Sequence, residues 1–492
     1  LLPEREFRKR VFWNKGDRRE AAMEWSKLLS DERIRPVRKR AGAEDLRTEY
    51  EKDYHRIIGS ASFRRLQDKT QVFPLDKSDF IRTRLTHSLE VSSFGKSLGQ
   101  NISRKILQEV KDPDFKPEYQ GYICDILQCA GLLHDIGNPP FGHFGETVIR
   151  EWFRAHMGRL QLQGRPLKEL LTEQMQADFY EFEGNTQALR LVSKLHYLVD
   201  AHGMNLTQAL LGTIIKYPVS SLEIDRESGD IRTKKMGYFY AEQDLFQQIQ
   251  QTLGTAGYRH PLAFVLEAAD DIAYKTADVE DAFKKGCITY RQLVAELRAC
   301  GQKLEAGEKY FGLVDALEKR YGKGQERGVS APEAYAVQNW IVYIQGELLA
   351  CATDNFAQNY REIMAGTYRK ELLTGEDRAR MADVLGDIAY RYAFVSEPIY
   401  KHEIPAATIM DFLLERFVDA AIVYDSGQPV TAVQAKLMTL VSDNYKAIYQ
   451  YYSRDKSPEE KLYLRLLLVT DSICGMTDSY AKRLYQELSG IA

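Results

Sequence analysis

The stretch Cys129-Ala-Gly-Leu-Leu-His134-Asp135-Ile-Gly-Asn-Pro-Pro-Phe-Gly-His143-Phe-Gly-Glu146 decides how the rest of the chain is read. Its apolar start continues from Ile126 and Leu127 with the spacing of a helix, and the Gly-Asn-Pro-Pro-Phe-Gly segment must break that helix. Neighbouring helical residues point about 100° apart, so His134 and Asp135 diverge inside a helix but can converge on one ion where it ends. An imidazole nitrogen with a carboxylate oxygen suits Mn, Fe, Co, Ni or Zn, and Mg if water fills the other positions. A lone His-Asp pair is ordinarily a helix end or plain surface. This one keeps unusual company: Arg82-Thr-Arg84-Leu-Thr-His87-Ser-Leu-Glu90 upstream and Glu267-Ala-Ala-Asp270-Asp271-Ile-Ala-Tyr274 downstream complete the order His, His-Asp, Asp.

Composition sets the outer bounds. The 492 residues suggest about three domains, and 44% apolar with 28% charged residues is ample for a large core in a soluble chain. A net charge of −3 argues against a general polyanion binder, while leaving room for a local basic patch facing a nucleotide or a DNA strand. The six cysteines show no CxxC and no disulfide-framework density, which fits a reducing cytoplasm. No signal peptide and no run of about 18 apolar residues is seen, so a membrane partner is not expected.

Periodicity predicts helices around Arg18–Leu29, Thr86–Glu109, Tyr119–His134, Gly145–His156, Glu183–Ala201 and Thr207–Ile215, and long helical patterns from Pro261 to Leu488. Gly158–Ala177 reads as a loop. Between Lys216 and Tyr240, β-branched and aromatic residues around Glu-Ser-Gly-Asp predict one small hairpin. The tyrosines from Tyr445 to Tyr452 could serve an interface or a core.

The segments RTRLTHSLEV, LLHDIGNPPFGHFGE, FEGNTQALRLV, GTIIKYP, EAADDIAYKTADVEDA and SICGMTD resemble the HD-domain metal phosphohydrolases, and within them the bacterial deoxyguanosine triphosphate triphosphohydrolases. The match runs from about Arg64 to Asp281 and resumes near Glu403 and at Ser472–Asp478. It implies an all-α protein with a helical HD-domain catalytic core over 45–290, within which the hairpin near 216–240 falls, and a helical C-terminal region over 291–492 that contributes to the substrate site and the oligomer interface; residues 1–44, dense in Arg, Lys and Glu, read from composition as an N-terminal arm.

The resemblance also implies roles. His87, His134, Asp135 and Asp270 become ligands of one divalent metal, Mg or Mn or another transition ion, with positions left open as in catalytic sites. His143 and Glu146, three residues apart on one helical face if Gly145 opens a helix, match the family's catalytic pair; a carboxylate on one ring nitrogen fixes the tautomer and raises basicity at the other. Asp270, Tyr274 and Asp278 share one helical stripe, so Tyr274 can lie under a deoxyribose while Asp278 and Gln71 bond its 3′-hydroxyl. Asp271, Glu280 and Asp281 read as an exposed acidic face. A triphosphate needs cations, and the candidates are Arg65, Arg84, Lys216 and Lys235. Asn185 and Tyr217 match positions lining the nucleotide site, Val72 packs on the base, and Glu403 falls where the family reads guanine.

The expected activity is hydrolysis of dGTP, and possibly other dNTPs, to the deoxynucleoside and tripolyphosphate by a homo-oligomer, commonly a hexamer in the family, with single-stranded DNA as a family-type effector. The rivals are another HD-superfamily nucleotidase or phosphodiesterase, and a nucleotide-sensing or single-stranded-DNA-binding regulator.

Overall fold

Small residues set the crossing on which the site is built. In the computed structural model, which describes residues 23–36, 45–71, 82–196, 200–303, 307–375, 377–395 and 397–491, helix α1 (Arg84–Lys105) starts at Thr83, whose hydroxyl accepts from Thr86 N–H in a capping box. Ser88, Ser92, Gly95 and Gly99 on α1 are buried and repeat at helical spacing. They pack against helix α2 (Tyr119–Leu133), the most extensive helix pairing described. The approach is so close that a Cβ on Gly131 would sit 2.5 Å from Ser92 Cα. That seam brings the start of α1, with His87, opposite the end of α2, with His134.

Helix α3 (Gly142–His156) follows the Pro-Pro turn, and the short helix α4 (Gly184–Arg190) lies behind it. Helix α5 (Gln208–Ile214) leads on to the long central helix α6 (Pro261–Lys284), which starts with Pro261 at N1 and is buried along most of its length against α1 and α2. Helix α7 (Pro332–Gln358) packs on α6 and α1. Helices α8 (Glu397–Val423), α9 (Pro458–Cys474) and α10 (Asp478–Ser489) form a C-terminal layer in which α8 packs on α3, α9 and α10. Arg190 at the end of α4 forks onto Asp471 of α9 at 2.7 Å and Glu242 at 2.8 Å, a fully buried ion cluster that locks this layer to the core. No described helix is long and apolar enough to cross a membrane.

The all-α reading holds, but the hairpin is elsewhere. Strand β1 (Gln161–Leu162) pairs antiparallel with β2 (Arg165–Pro166) inside the stretch read as a loop, which also carries helices at Leu167–Leu170 and Glu173–Tyr180. Gln163 and Gly164 both take positive φ, 55° and 74°, the geometry of a two-residue type I′ turn. The segment 216–240 forms 3₁₀ turns instead of strands. There, Asp225 accepts from the N–H groups of Glu227 and Ser228, and Asp230 from that of Arg232. These local side-chain bonds take the donors a ladder would need. Of the N-terminal helix, Trp25–Leu28 is helical; residues before 23 lie outside the described ones.

Candidate active site

The end of α2 does what the sequence demands of it. His134 Nδ1 donates to Gly131 O at 2.8 Å within its own helix end, which fixes the tautomer and leaves Nε2 as a bare lone pair, buried and without a hydrogen-bond partner. That nitrogen lies 3.4 Å from Asp135 Oδ2 and 3.5 Å from Asp270 Oδ1. His87 Nε2 is 3.3 Å from Asp270 Oδ1, and the two imidazole rings meet edge to face with centroids 5.1 Å apart. His87, His134 and Asp135 offer ligand atoms all within 4.8 Å of one another, and Asp270 reaches the group through both imidazoles.

This donor set fits a divalent cation. An unpartnered imidazole lone pair and two carboxylates face one point, and positive charge is favoured there: burial opposes it, yet Asp135 and Asp270 hold the His134 pKa above its ordinary value. Asp135 is itself held well down, with burial opposed by Arg84 and His134. Lys216 does the same for Asp270.

Two basic side chains expected to meet a triphosphate stand as supports for the acids. Arg84 is buried with Nη1 2.5 Å from Asp135 Oδ2, and Lys216 Nζ is 2.9 Å from Asp270 Oδ2. Asn138 Nδ2 donates to Asp135 Oδ1 at 2.7 Å. Asp135 is thus oriented through both oxygens, and Asp270 through Oδ2, which leaves Asp270 Oδ1 facing the two imidazoles. Asn138 was missed in the sequence, though its place three residues after Asp135 in a helix-breaking turn was the available signal.

Helix α3 begins at Gly142, three residues earlier than expected, so His143 and Glu146 lie together in its first turns. His143 Nδ1 is 3.0 Å from Glu146 Oε2, and Gly184 N–H donates to Glu146 Oε1 at 2.8 Å. The carboxylate is 2% exposed while the imidazole is 75% exposed, so the ring faces open space from a buried anchor. Burial pushes the Glu146 carboxyl up, but His143 and Lys235 bring it down to about 2; reciprocally Glu146 raises the His143 pKa. Lys235 is joined to Glu183 at 2.8 Å and lines a cavity of 520 Å³ of mixed charge, in which Arg369 pairs with Asp230 at 2.9 Å and Lys234 with Glu371 at 3.4 Å.

Of the remaining candidates, Tyr274 is half-buried and Asp278 is buried on α6, one and two turns beyond Asp270. Gln71 Oε1 is buried with no hydrogen-bond partner. Tyr217 is buried, and Asn185 is half-buried at the start of α4. Arg65 donates to Gly475 O at 3.0 Å. Glu403 is half-buried near the start of α8, where burial raises its carboxyl, and no hydrogen bond or ion pair joins it to the cluster among the described residues. Val72 lies outside the described residues.

The acidic face of α6 is not exposed. Arg82 reaches over from the approach to α1, 2.6 Å from Glu280 and 2.5 Å from Asp281, and Lys275 holds Asp271 at 3.0 Å. A single arginine two residues ahead of α1 hid this in the sequence.

The family model of the HD domain matches residues 84–201, the span from α1 past α4. A protein of Listeria innocua named deoxyguanosinetriphosphate triphosphohydrolase-like is 47% identical over 474 residues, 96% of this chain and all of that one. One of the same name from Synechocystis is 34% identical over 96% of this chain and all of its own. A deoxyguanosinetriphosphate triphosphohydrolase of Yersinia enterocolitica is 31% identical over 92% of this chain and 97% of its own.

Proposed function

Because the chain belongs to the HD-domain deoxyguanosinetriphosphate triphosphohydrolase family, we propose that it is a dNTP triphosphohydrolase that cleaves dGTP, with a divalent metal, to deoxyguanosine and tripolyphosphate. The observation that carries this reading is the convergence of His87, His134, Asp135 and Asp270 within a few ångströms, beside an imidazole–carboxylate pair on the next helix.

The four residues would hold the ion, which supplies charge to polarise a phosphoryl oxygen. The protein's own part is proton handling and positioning. Water attacks the α-phosphorus, giving up a proton to solvent as the new P–O bond forms, and the bond to the 5′-oxygen breaks in line with it. His143, anchored through Nδ1 on Glu146, presents Nε2 to the open side; with its pKa raised, the ring is held ready to hand a proton to the leaving 5′-oxygen. Glu146 stays ionised because Gly184 N–H, Lys235 and His143 surround it.

Tyr274, at its family position, would lie under a deoxyribose and select against a ribose, and the buried Asp278 and the unpartnered Gln71 carbonyl would take the 3′-hydroxyl. Lys235 meets the phosphate tail, helped by Arg65, while Arg84 and Lys216 act chiefly through the acids they hold. Asn185 and Tyr217 line the nucleotide site, and Val72 and Glu403 read the base.

Product analysis tests the reading. The four dNTPs and GTP are incubated with Mg²⁺ or Mn²⁺; dGTP is expected to give tripolyphosphate and deoxyguanosine, and GTP little turnover. Orthophosphate or pyrophosphate as the first product would place the reaction elsewhere in the HD superfamily. Light scattering tests the homo-oligomer, and adding single-stranded DNA to the assay tests the effector.

A further inference from the structure

Three segments far apart in the chain are knotted beside the site: residues 65–70, the turn 138–141, and the corner 474–478 between α9 and α10. Lys69, 3% exposed, places its ammonium 2.5 Å from Asn138 O and 2.6 Å from Cys474 O. Asp478, 1% exposed, accepts from Phe141 N–H at 2.9 Å through one oxygen, and from Thr70 N–H at 3.0 Å and Thr70 Oγ1 at 2.5 Å through the other. Arg65 donates to Gly475 O at 3.0 Å alongside.

What this knot grips is the chain that delivers His143. Phe141 sits at φ 63°, a left-handed conformation that a bulky L-residue keeps only when its surroundings hold it there. Its N–H is held by Asp478, and α3 starts at the next residue, with His143 in its first turn. Asn138, whose carbonyl Lys69 holds, orients Asp135 with its side chain. One turn thus carries a candidate metal ligand's support at one end and the candidate proton carrier at the other. Both ends are fixed from residues outside the HD-domain match at 84–201.

We propose that Asp478, seconded by Lys69, is a positioning residue for hydrolysis: it sets the Asn138–Phe141 turn so that the His143 ring faces the metal cluster. The proposal rests on the reading of His143 as the proton carrier.

Asp478→Asn preserves shape but turns an NH₂ group against one of the backbone N–H donors. Turnover of dGTP is expected to fall about 10- to 100-fold, as for a group misplaced by about 1 Å, with KM, metal content and melting temperature close to those of the parent. Lys69→Met is expected to follow the same pattern and stands in if the asparagine variant folds poorly. Ser479→Ala, which removes only the exposed bond to Asp68 at 2.8 Å, keeps full turnover. The decisive step repeats both substitutions in a His143→Ala background, where the penalty should vanish because no imidazole is left to aim. The same fold-loss with and without His143, unchanged turnover, or a loss that merely tracks the unfolded fraction overturns the proposal. A His143→Ala protein as fast as the parent instead overturns the proton-carrier reading.

Discussion

Adding one methyl group at Gly184 reaches both halves of the site at once. A Cβ there would lie 1.9 Å from Asn138 Oδ1 and 2.7 Å from Glu146 Oε1, where ordinary contact begins at 3.4 Å. Relief requires the Asn138 amide to retreat by about 1.5 Å and the Glu146 carboxylate by about 0.7 Å from the methyl. Both are buried and both are committed, Asn138 to Asp135 at 2.7 Å and Glu146 to Gly184 N–H and His143 at 2.8 and 3.0 Å. Overpacking of this kind costs about 1–3 kcal/mol of stability. The larger effect is on chemistry, since a displacement of about 1 Å in a catalytic group can lower turnover about 10²-fold. Gly184→Ala is therefore expected to remain folded, with a melting temperature lower by a few degrees, and to lose dGTP turnover about a hundredfold or more. Steady-state kinetics beside thermal unfolding separates the two effects. A variant that melts lower yet turns over at the parental rate would refute the argument that Asn138 and Glu146 are held where catalysis needs them.

His143→Ala is expected to keep its metal while turnover drops about 10²–10⁴-fold, checked by elemental analysis and kinetics on the same sample; metal loss would mean the roles are misassigned. His260, the cap of α6, has both ring nitrogens engaged: Nδ1 accepts from Leu262 N–H and Nε2 faces Leu28 O, each at 3.1 Å. Burial lowers its pKa to about 4, so between pH 6.5 and 4 the unfolded chain binds a proton that the folded one refuses. The stability this gives is present above pH 6.5 and is lost as pH falls through 4, about 3 kcal/mol in all. His260→Asn, which keeps a cap acceptor, should flatten that part of the acid limb in urea melts, and an unchanged limb would count against it.

Much of this was legible because it is local. The helix-breaking turn and the i, i+3 spacing of His143 and Glu146 are local patterns, and α1, α2 and α6 follow from apolar period; the grouping of His87, His134, Asp135 and Asp270 and the pairing of His143 with Glu146 come from the family resemblance. What the sequence hid are tertiary partners. Arg84 and Lys216 look like free cations in a one-dimensional chain, yet in the fold each is the counter-ion of a buried acid. Lys69 lies in no motif, and Asp478, although it closes the SICGMTD segment, shows nothing in the sequence of the turn it grips. The misplaced hairpin had a different cause: the β-like composition of 216–240 was outweighed by Asp225 and Asp230 capping their own turns, whereas Gln163-Gly164 supplied the positive φ values that a tight hairpin needs.

On the proposed function, one divalent ion is held by His87, His134, Asp135 and Asp270 and is needed for turnover. Chelator-treated protein titrated with Mn²⁺, with free ion followed by electron paramagnetic resonance, tests it most directly. One tight ion per chain is expected, with activity rising in step with its binding and both lost together in His134→Ala. Tight binding by His134→Ala equal to the parent's, or full turnover with no ion bound, would contradict it.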